Sequence, residues 1–435
     1  MKEIRSKLFN RKLNILNYVW LIIVLSYIPI SGLFILYGKM SLKVYADVFY
    51  ILNIVSLILC VLNYVAKKKL NSVDLVVLLL IILADVATIC SNYRDKSLWG
   101  QPGRYEGMFM LITYYVLYIL STFVEKNDKK KIVACILVFG VMQVGVGILQ
   151  QFNLMPIIND GTKYSGGLVG NSNYFSTQNI MWLALSLGLF LFSKKWWPIV
   201  LVIIFSVGLA LGGAMSCFVG LICVILSIVI ILIVNRKYLD VKKIAKKFVL
   251  TVLLIATSYV IVGTLTDSGV GKDIKGLFIQ ANDIVVNKNT DDTYGTFRLY
   301  IWKNTLPKVK DYLWTGVGID CFRYIFKPYL RIDGGIVGKA HNEYLQLIIT
   351  EGVFALLAYL ILLFINIFNN YKNSRSKEYD YLDYAILLSV IGYITQAFFN
   401  ISVIRVAPMF FVLMGLSYNR NMLRIEEKKT KRVKK

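Results

Sequence analysis

Apolar runs of about 18 residues or more recur along this chain, and a helix of that length is what crosses the hydrocarbon core of a bilayer. Twelve spans are read from them: 15–37, 44–66, 73–90, 107–124, 132–151, 174–193, 196–212, 216–234, 247–264, 345–368, 382–404 and 406–418. The pair 196–212 and 216–234 is broken only by Gly212-Gly213-Ala214-Met215-Ser216, which reads as a tight turn. Hydrophobic residues make up 57% of the 435 and charged residues 17%. Backbone groups in lipid must be satisfied within the chain, so the expected fold is an all-α integral membrane protein.

A net charge of +24 suggests nucleic acid until its distribution is followed. With the N-terminus on the cytoplasmic side, 31 of the 49 Lys and Arg fall on that side. Short opposite loops hold 7, and one long opposite loop holds 11. The alternation is the positive-inside pattern. It predicts both termini in the cytoplasm and a large extracytoplasmic loop, and it makes membrane lipid, not nucleic acid, the partner of the basic tail Lys428–Lys435. The first span is too long for a cleaved signal and reads as a retained anchor. The six cysteines form no CxxC or Cys/His cluster, so neither a zinc site nor a disulfide framework is expected. No cofactor or metal is called for.

The expected organisation is a membrane domain over 1–264, a loop over 265–344, a second membrane portion over 345–418 and a basic tail over 419–435. The loop is too aromatic for a disordered linker: it holds Phe278, Phe297, Tyr300, Trp302, Trp314, Phe322, Tyr324 and Phe326. Helical spacing runs from Tyr294 to Lys310, with Phe297, Ile301 and Thr305 on one face. A glycine turn, Thr315–Ile319, leads to a second short helix at about 319–330. The alternative is an amphipathic segment resting on headgroups.

His341 is the only histidine, in the run Lys339-Ala-His-Asn-Glu-Tyr-Leu345 where the loop meets a span. Its neutral-range pKa makes it the natural general base, with Asn342 and Glu343 as orienting partners. Equally, a polar residue there caps a helix or meets headgroups. Arg298 and Arg323 flank the Gly316/Gly318 turn, and arginine forks suit phosphate; the plain reading is solvated surface charge. The turn's N–H groups are a further candidate for anion binding. Arg104 lies at the mouth of the fourth span, and Asn171, Asn173 and Tyr174 at the mouth of the sixth; they line an outward pocket or anchor the interface. Asp85, within the third span, serves function or pairs with an arginine such as Arg405. Asp291-Asp292 is a weak cation candidate. Neither an Asp-x-Asp triplet nor a nucleotide-binding segment is present, which argues against nucleotide-sugar donors.

Taken in order, Arg298-x-x-x-Trp302, Gly316-x-Gly318-x-x-x-Phe322, Ala340-His341-Asn342-x-x-Leu345 and Glu351-Gly352 resemble the O-antigen ligase and polymerase superfamily of bacterial glycosyltransferases. Arg104-Tyr-Glu-Gly107 and Asn171-Ser-Asn-Tyr174 are similar to family features, less specifically. The resemblance implies inverting, metal-independent transfer of glycan from a polyprenyl diphosphate carrier to an acceptor sugar or lipid-glycan, in the bacterial cytoplasmic membrane, at its extracytoplasmic face. It implies that His341 activates the acceptor hydroxyl and that Arg298 holds the diphosphate, with Arg323, Arg104 and Arg405 as further ligands. Asn342, Glu343, Glu351, Trp302, Asn173 and Tyr174 are its expected orienting and substrate residues. Two departures stand out. Cys217 follows Ser216 where the family commonly has arginine, and Leu313-Trp314 lacks the usual proline. The rival from another class is a lipid-linked glycan transporter, which would concentrate polar groups near the midplane. A peptidoglycan polymerase of similar architecture would instead rely on a loop carboxylate such as Asp320.

Overall fold

The computed structural model describes residues 2–67, 70–156, 163–266, 270–288, 291–376, 379–418 and 420. The tail Lys428–Lys435 lies outside them. In chain order the helices are α1 (Lys2–Leu36), α2 (Leu42–Lys67), α3 (Ser72–Cys90), α4 (Arg94–Trp99), α5 (Met108–Thr122), α6 (Lys126–Gln151), α7 (Ser172–Phe192) and α8 (Pro198–Gly212). Then come α9 (Met215–Val234), α10 (Val241–Leu265), α11 (Val270–Val285), α12 (Arg298–Thr305), α13 (Glu343–Glu351), α14 (Val353–Asn373), α15 (Tyr381–Gln396) and α16 (Ala407–Ser417). One two-residue hairpin, Arg331–Ile332 with Gly335–Ile336, is the only sheet among the described residues.

Nine helices among the described residues are long and apolar enough to cross a membrane: α1, α2, α3, α6, α7, α9, α10, α14 and α15. The chain is an all-α, multi-pass membrane protein. Three of the twelve expected spans are shorter helices, α5, α8 and α16. At about 1.5 Å per residue, α16 with its 11 residues falls well short of a bilayer core of about 30 Å. The expected span 345–368 also needs correction. Gly352, at φ +90, splits it into α13 and α14, because that backbone conformation cannot continue a right-handed helix. The turn expected at 212–216 is present, with Gly213 ending α8 and α9 starting at Met215.

Position in the bundle decides which helices read as amphipathic. Helix α7 is central and buried on nearly every side, between α8 and α15. Outward-facing α3 leaves Leu75, Leu78, Leu79, Ile82 and Ile89 exposed, as a lipid-facing helix must. A second, smaller core holds the loop together: Ile301, Val317, Phe322, Ile325, Val337, Ala340 and Ile349 pack on one another. The long loop is therefore a folded cap seated on the bundle. Helical spacing at 294–310 becomes α12 plus a 3-10 turn, Leu306–Tyr312, and the helix expected at 319–330 shrinks to a 3-10 turn, Phe322–Ile325.

Candidate active site

His341 sits between two fixed neighbours. The Trp302 indole donates to the Ala340 carbonyl at 2.9 Å, and the Ala340 N–H donates to Gln346 Oε1 at 2.8 Å. On the other side Asn342 caps α13, its Oδ1 accepting from the Leu345 N–H at 3.0 Å. His341 itself has φ +49, a left-handed conformation that a non-glycine residue holds only when its surroundings impose it. Its ring is half-buried.

The orienting partners expected from sequence are corrected here. Asn342 spends its oxygen on the helix cap. The Glu343 carboxylate is buried and accepts from Tyr359 Oη at 2.7 Å and Tyr393 Oη at 3.0 Å, which turns it into the bundle. Among the described residues neither hydrogen-bonds to the imidazole. The segment is aimed by Trp302 and Gln346, acting on the backbone.

Cations surround this histidine. Burial first, then the positive charges of Arg298, Arg104 and Lys339, push its pKa down to about 3. Both mechanisms disfavour imidazolium, so His341 is neutral at pH 7. Arg104 and Arg323 converge on Gly338: a Cβ there would lie 3.1 Å from one guanidinium and 3.4 Å from the other. A larger residue there would press on both guanidinium groups. Arg298 opens α12 and is held by backbone, donating from Nε to the Phe399 carbonyl and from Nη1 to the Gly295 carbonyl, each at 2.7 Å, and to Thr296 Oγ1. Burial lowers its pKa to about 10. Arg405, between α15 and α16, acts electrostatically on Tyr174 and Tyr45, not on Asp85. Its Nη1 and the Arg323 Nε are buried without a partner. Among the described residues none of the four arginines pairs with a carboxylate. Such a concentration of guanidinium groups outside ion pairs favours a multiply charged anion.

Lys339 is the exception. It is buried and paired at 2.9 Å with both Glu106 and Asp320, and Asp320 Oδ2 also accepts from the Gln101 N–H at 2.7 Å. The triad ties the His341 segment to the loop carrying Arg104. These groups line a cavity of about 80 Å³ with Glu343, Gln346, Thr350 and Glu351. That is room for several waters, at about 10–15 Å³ each by the same measure. Glu351 Oε2 has no protein partner, and burial raises the Glu351 carboxyl to about 8.

Another expectation fails for a clear reason. The Gly316/Gly318 turn cannot offer its N–H groups to an anion, because Val317 and Gly318 donate at 3.0 Å to the Ile349 and Thr350 carbonyls. It caps the C-terminus of α13. A Cβ on Gly316 would lie 2.1 Å from the Thr350 carbonyl carbon, so the motif is a packing device. Asp292 pairs with Lys303 and Asp291 accepts from Thr293 within its own turn. Tyr174 lies within the electrostatic reach of Arg104, Glu106, Lys339 and Arg405, while Asn173 lies in the first turn of α7 beside its Asn171 cap. Cys217, fully buried at the start of α9, lies within the electrostatic reach of Arg298. Sequence reasoning missed the Lys339–Glu106–Asp320 triad. Its signal was a lysine in the histidine motif, but its partners are 233 and 19 positions away.

Fold and site together define a polytopic membrane protein whose folded loop carries one histidine among unpaired arginines. Residues 199–360 match the family model described as O-antigen ligase, which supports placing the chain in the O-antigen ligase superfamily and an O-antigen ligase-like function in polysaccharide biosynthesis. The match runs from α8 into α14, so it contains Arg298, Arg323 and His341 but not Arg104, Asn173, Tyr174 or Arg405. No curated protein matches the chain.

Proposed function

We propose that this protein transfers glycan from a polyprenyl diphosphate carrier to an acceptor sugar, with His341 as general base and the arginines as diphosphate ligands. In this reading the acceptor O–H gives its proton to the imidazole as the oxygen attacks the anomeric carbon. The bond from that carbon to the phosphate oxygen breaks, and the polyprenyl diphosphate departs with the electron pair. One displacement inverts the anomeric centre. Arg298, Arg104 and Arg323 take up the charge that develops on the leaving group, and fixed cations serve best where charge appears. Arg405 supports the far side beside Tyr174. Trp302 holds the histidine segment, and Tyr174 and Asn173 border the sugar. Asn342 and Glu343 act through α13 and its packing, and Glu351 through the cavity beneath. The charge distribution of the loops supports an extracytoplasmic site with both termini in the cytoplasm.

One observation carries this reading: the chain's single histidine stands among Arg298, Arg104 and Lys339, and among the described residues neither of these arginines forms an ion pair with a carboxylate. It also supplies an order of events. A bound diphosphate offsets the surrounding positive charge and raises the histidine toward its ordinary value, so donor binding strengthens the base. Cells carrying His341→Ala should keep the protein in the membrane and lose the polymer or its attachment, and Arg298→Ala should do the same. Normal product in the His341→Ala strain would contradict the proposal.

A further inference from the structure

Helix α11 has no role in the reading above. Its apolar residues Ile274, Leu277, Phe278, Ala281, Ile284 and Val285 recur at helical spacing and form one stripe, with Ile279 a large apolar residue outside it. Phe278, Ile284 and Val285 in that stripe are exposed, at 59%, 41% and 76%. The helix packs against α10 and α9. An isolated 16-residue helix is marginal in water, so something covers this stripe. The adjoining surface indicates what. Near its end α10 leaves Val260, Ile261 and Leu265 exposed, and α10 is long and apolar enough to span. In sequence, α11 begins five residues after Leu265, the last residue of α10.

The opposite edge of α11 is polar and occupied. Gln280 Oε1 accepts from the Gly295 N–H at 3.0 Å, and Tyr294 Oη donates to Asp283 Oδ2 at 2.9 Å. Gly295, Thr296 and Phe297 all have positive φ, at 63, 56 and 63. Three consecutive left-handed residues, two of them not glycine, persist only when held from outside. The Gly295 carbonyl and Thr296 Oγ1 in this turn accept from Arg298. A continuous set of hydrogen bonds therefore runs from α11 through the turn to the guanidinium.

We propose that α11 lies in the membrane–water interface, its apolar stripe against lipid acyl chains, and that its polar edge holds the strained turn that presents Arg298. The helix is then an interaction surface for the bilayer and a brace for one diphosphate ligand. The second half rests on the reading of Arg298 given above; the first does not.

Vesicles of phosphatidylcholine with brominated acyl chains test the docking. The parent protein, Phe278→Trp, Val285→Trp and Lys272→Trp are each reconstituted. The fluorescence added by a tryptophan at 278 or 285 should be quenched at least about twofold more strongly than that added at 272, since an interfacial helix buries its apolar face alone. Equal quenching at the three positions, or none at 278 and 285, overturns the docking. For the brace, Gln280→Ala combined with Tyr294→Phe should lower glycan transfer about tenfold, about 1.4 kcal/mol, with Phe278→Trp quenching unchanged in that background. Full activity of this pair where Arg298→Ala is inactive overturns the brace. Full activity of Arg298→Ala overturns both the brace and the catalytic role of that arginine, and leaves the quenching result standing.

Discussion

Replacing Lys339 with Met probes the buried triad that fixes the histidine segment. At 2.9 Å from each carboxylate, the lysine gains about 6 kcal/mol of gross Coulomb energy per contact at an effective dielectric near 20. Removing three charges from water offsets much of that, at several kcal/mol per ion. The intact triad therefore contributes little net stability, and loss of the cation alone is severe. It leaves Glu106 and Asp320 buried side by side without a counter-charge, at about 3–5 kcal/mol. For a chain of this size about 1 °C is lost per kcal/mol, so Tm should fall by roughly 3–5 °C. Thermal unfolding in detergent micelles, followed by circular dichroism, measures the drop. Adding Glu106→Gln and Asp320→Asn to Lys339→Met removes the stranded charges and should restore most of it. A single variant within about 1 °C of the parent, or a triple variant no better than the single, would show that no stranded charge is left behind.

Further expectations come from the same residues. Asn342→Ala removes the α13 cap and should lower stability by about 1 kcal/mol while reducing transfer, because the cap also fixes His341; unchanged transfer would deny it that role. Glu351 is raised to about 8, so the stability it adds is present below its ordinary range and is lost as pH rises through 8. Glu351→Gln mimics the protonated acid, and its Tm should match the parent below the ordinary carboxylate range, exceed it increasingly as pH rises toward 8, and exceed it by a constant margin above 8. His341 is lowered to about 3, and protonation on the acid side removes the base. The acid limb of kcat/KM should therefore lie well below pH 6.5, and that of kcat should lie higher because bound diphosphate offsets the arginines. A kcat/KM limb at 6.5 would show that those charges do not act on the histidine.

The membrane class was legible because a bilayer demands long apolar runs and sequence displays them directly. The split at Gly352 was not, since Leu345–Ile349 is apolar for a different reason: it packs inside the cap. Arg298, Trp302 and His341 were found as motif residues, but their surroundings were visible only in three dimensions. The Trp302 indole holds a carbonyl beside the histidine, which no spacing rule predicts. The glycine turn looked like an anion nest, and its N–H groups are consumed by a helix end remote in sequence. Asn342 and Glu343 were assigned to His341 because they are adjacent, yet a residue beginning a helix points its neighbours to different sides. Sequence distance hid the triad completely.

In the proposed reaction His341 removes the acceptor proton while arginines hold the diphosphate. Purified protein in lipid vesicles, given a polyprenyl-diphosphate-linked oligosaccharide and an acceptor glycan, tests it through the rate of product formation. For His341→Ala the account predicts a fall of about 10²–10⁴-fold, with binding of the lipid-linked donor retained. Transfer at the parental rate by that variant would contradict it.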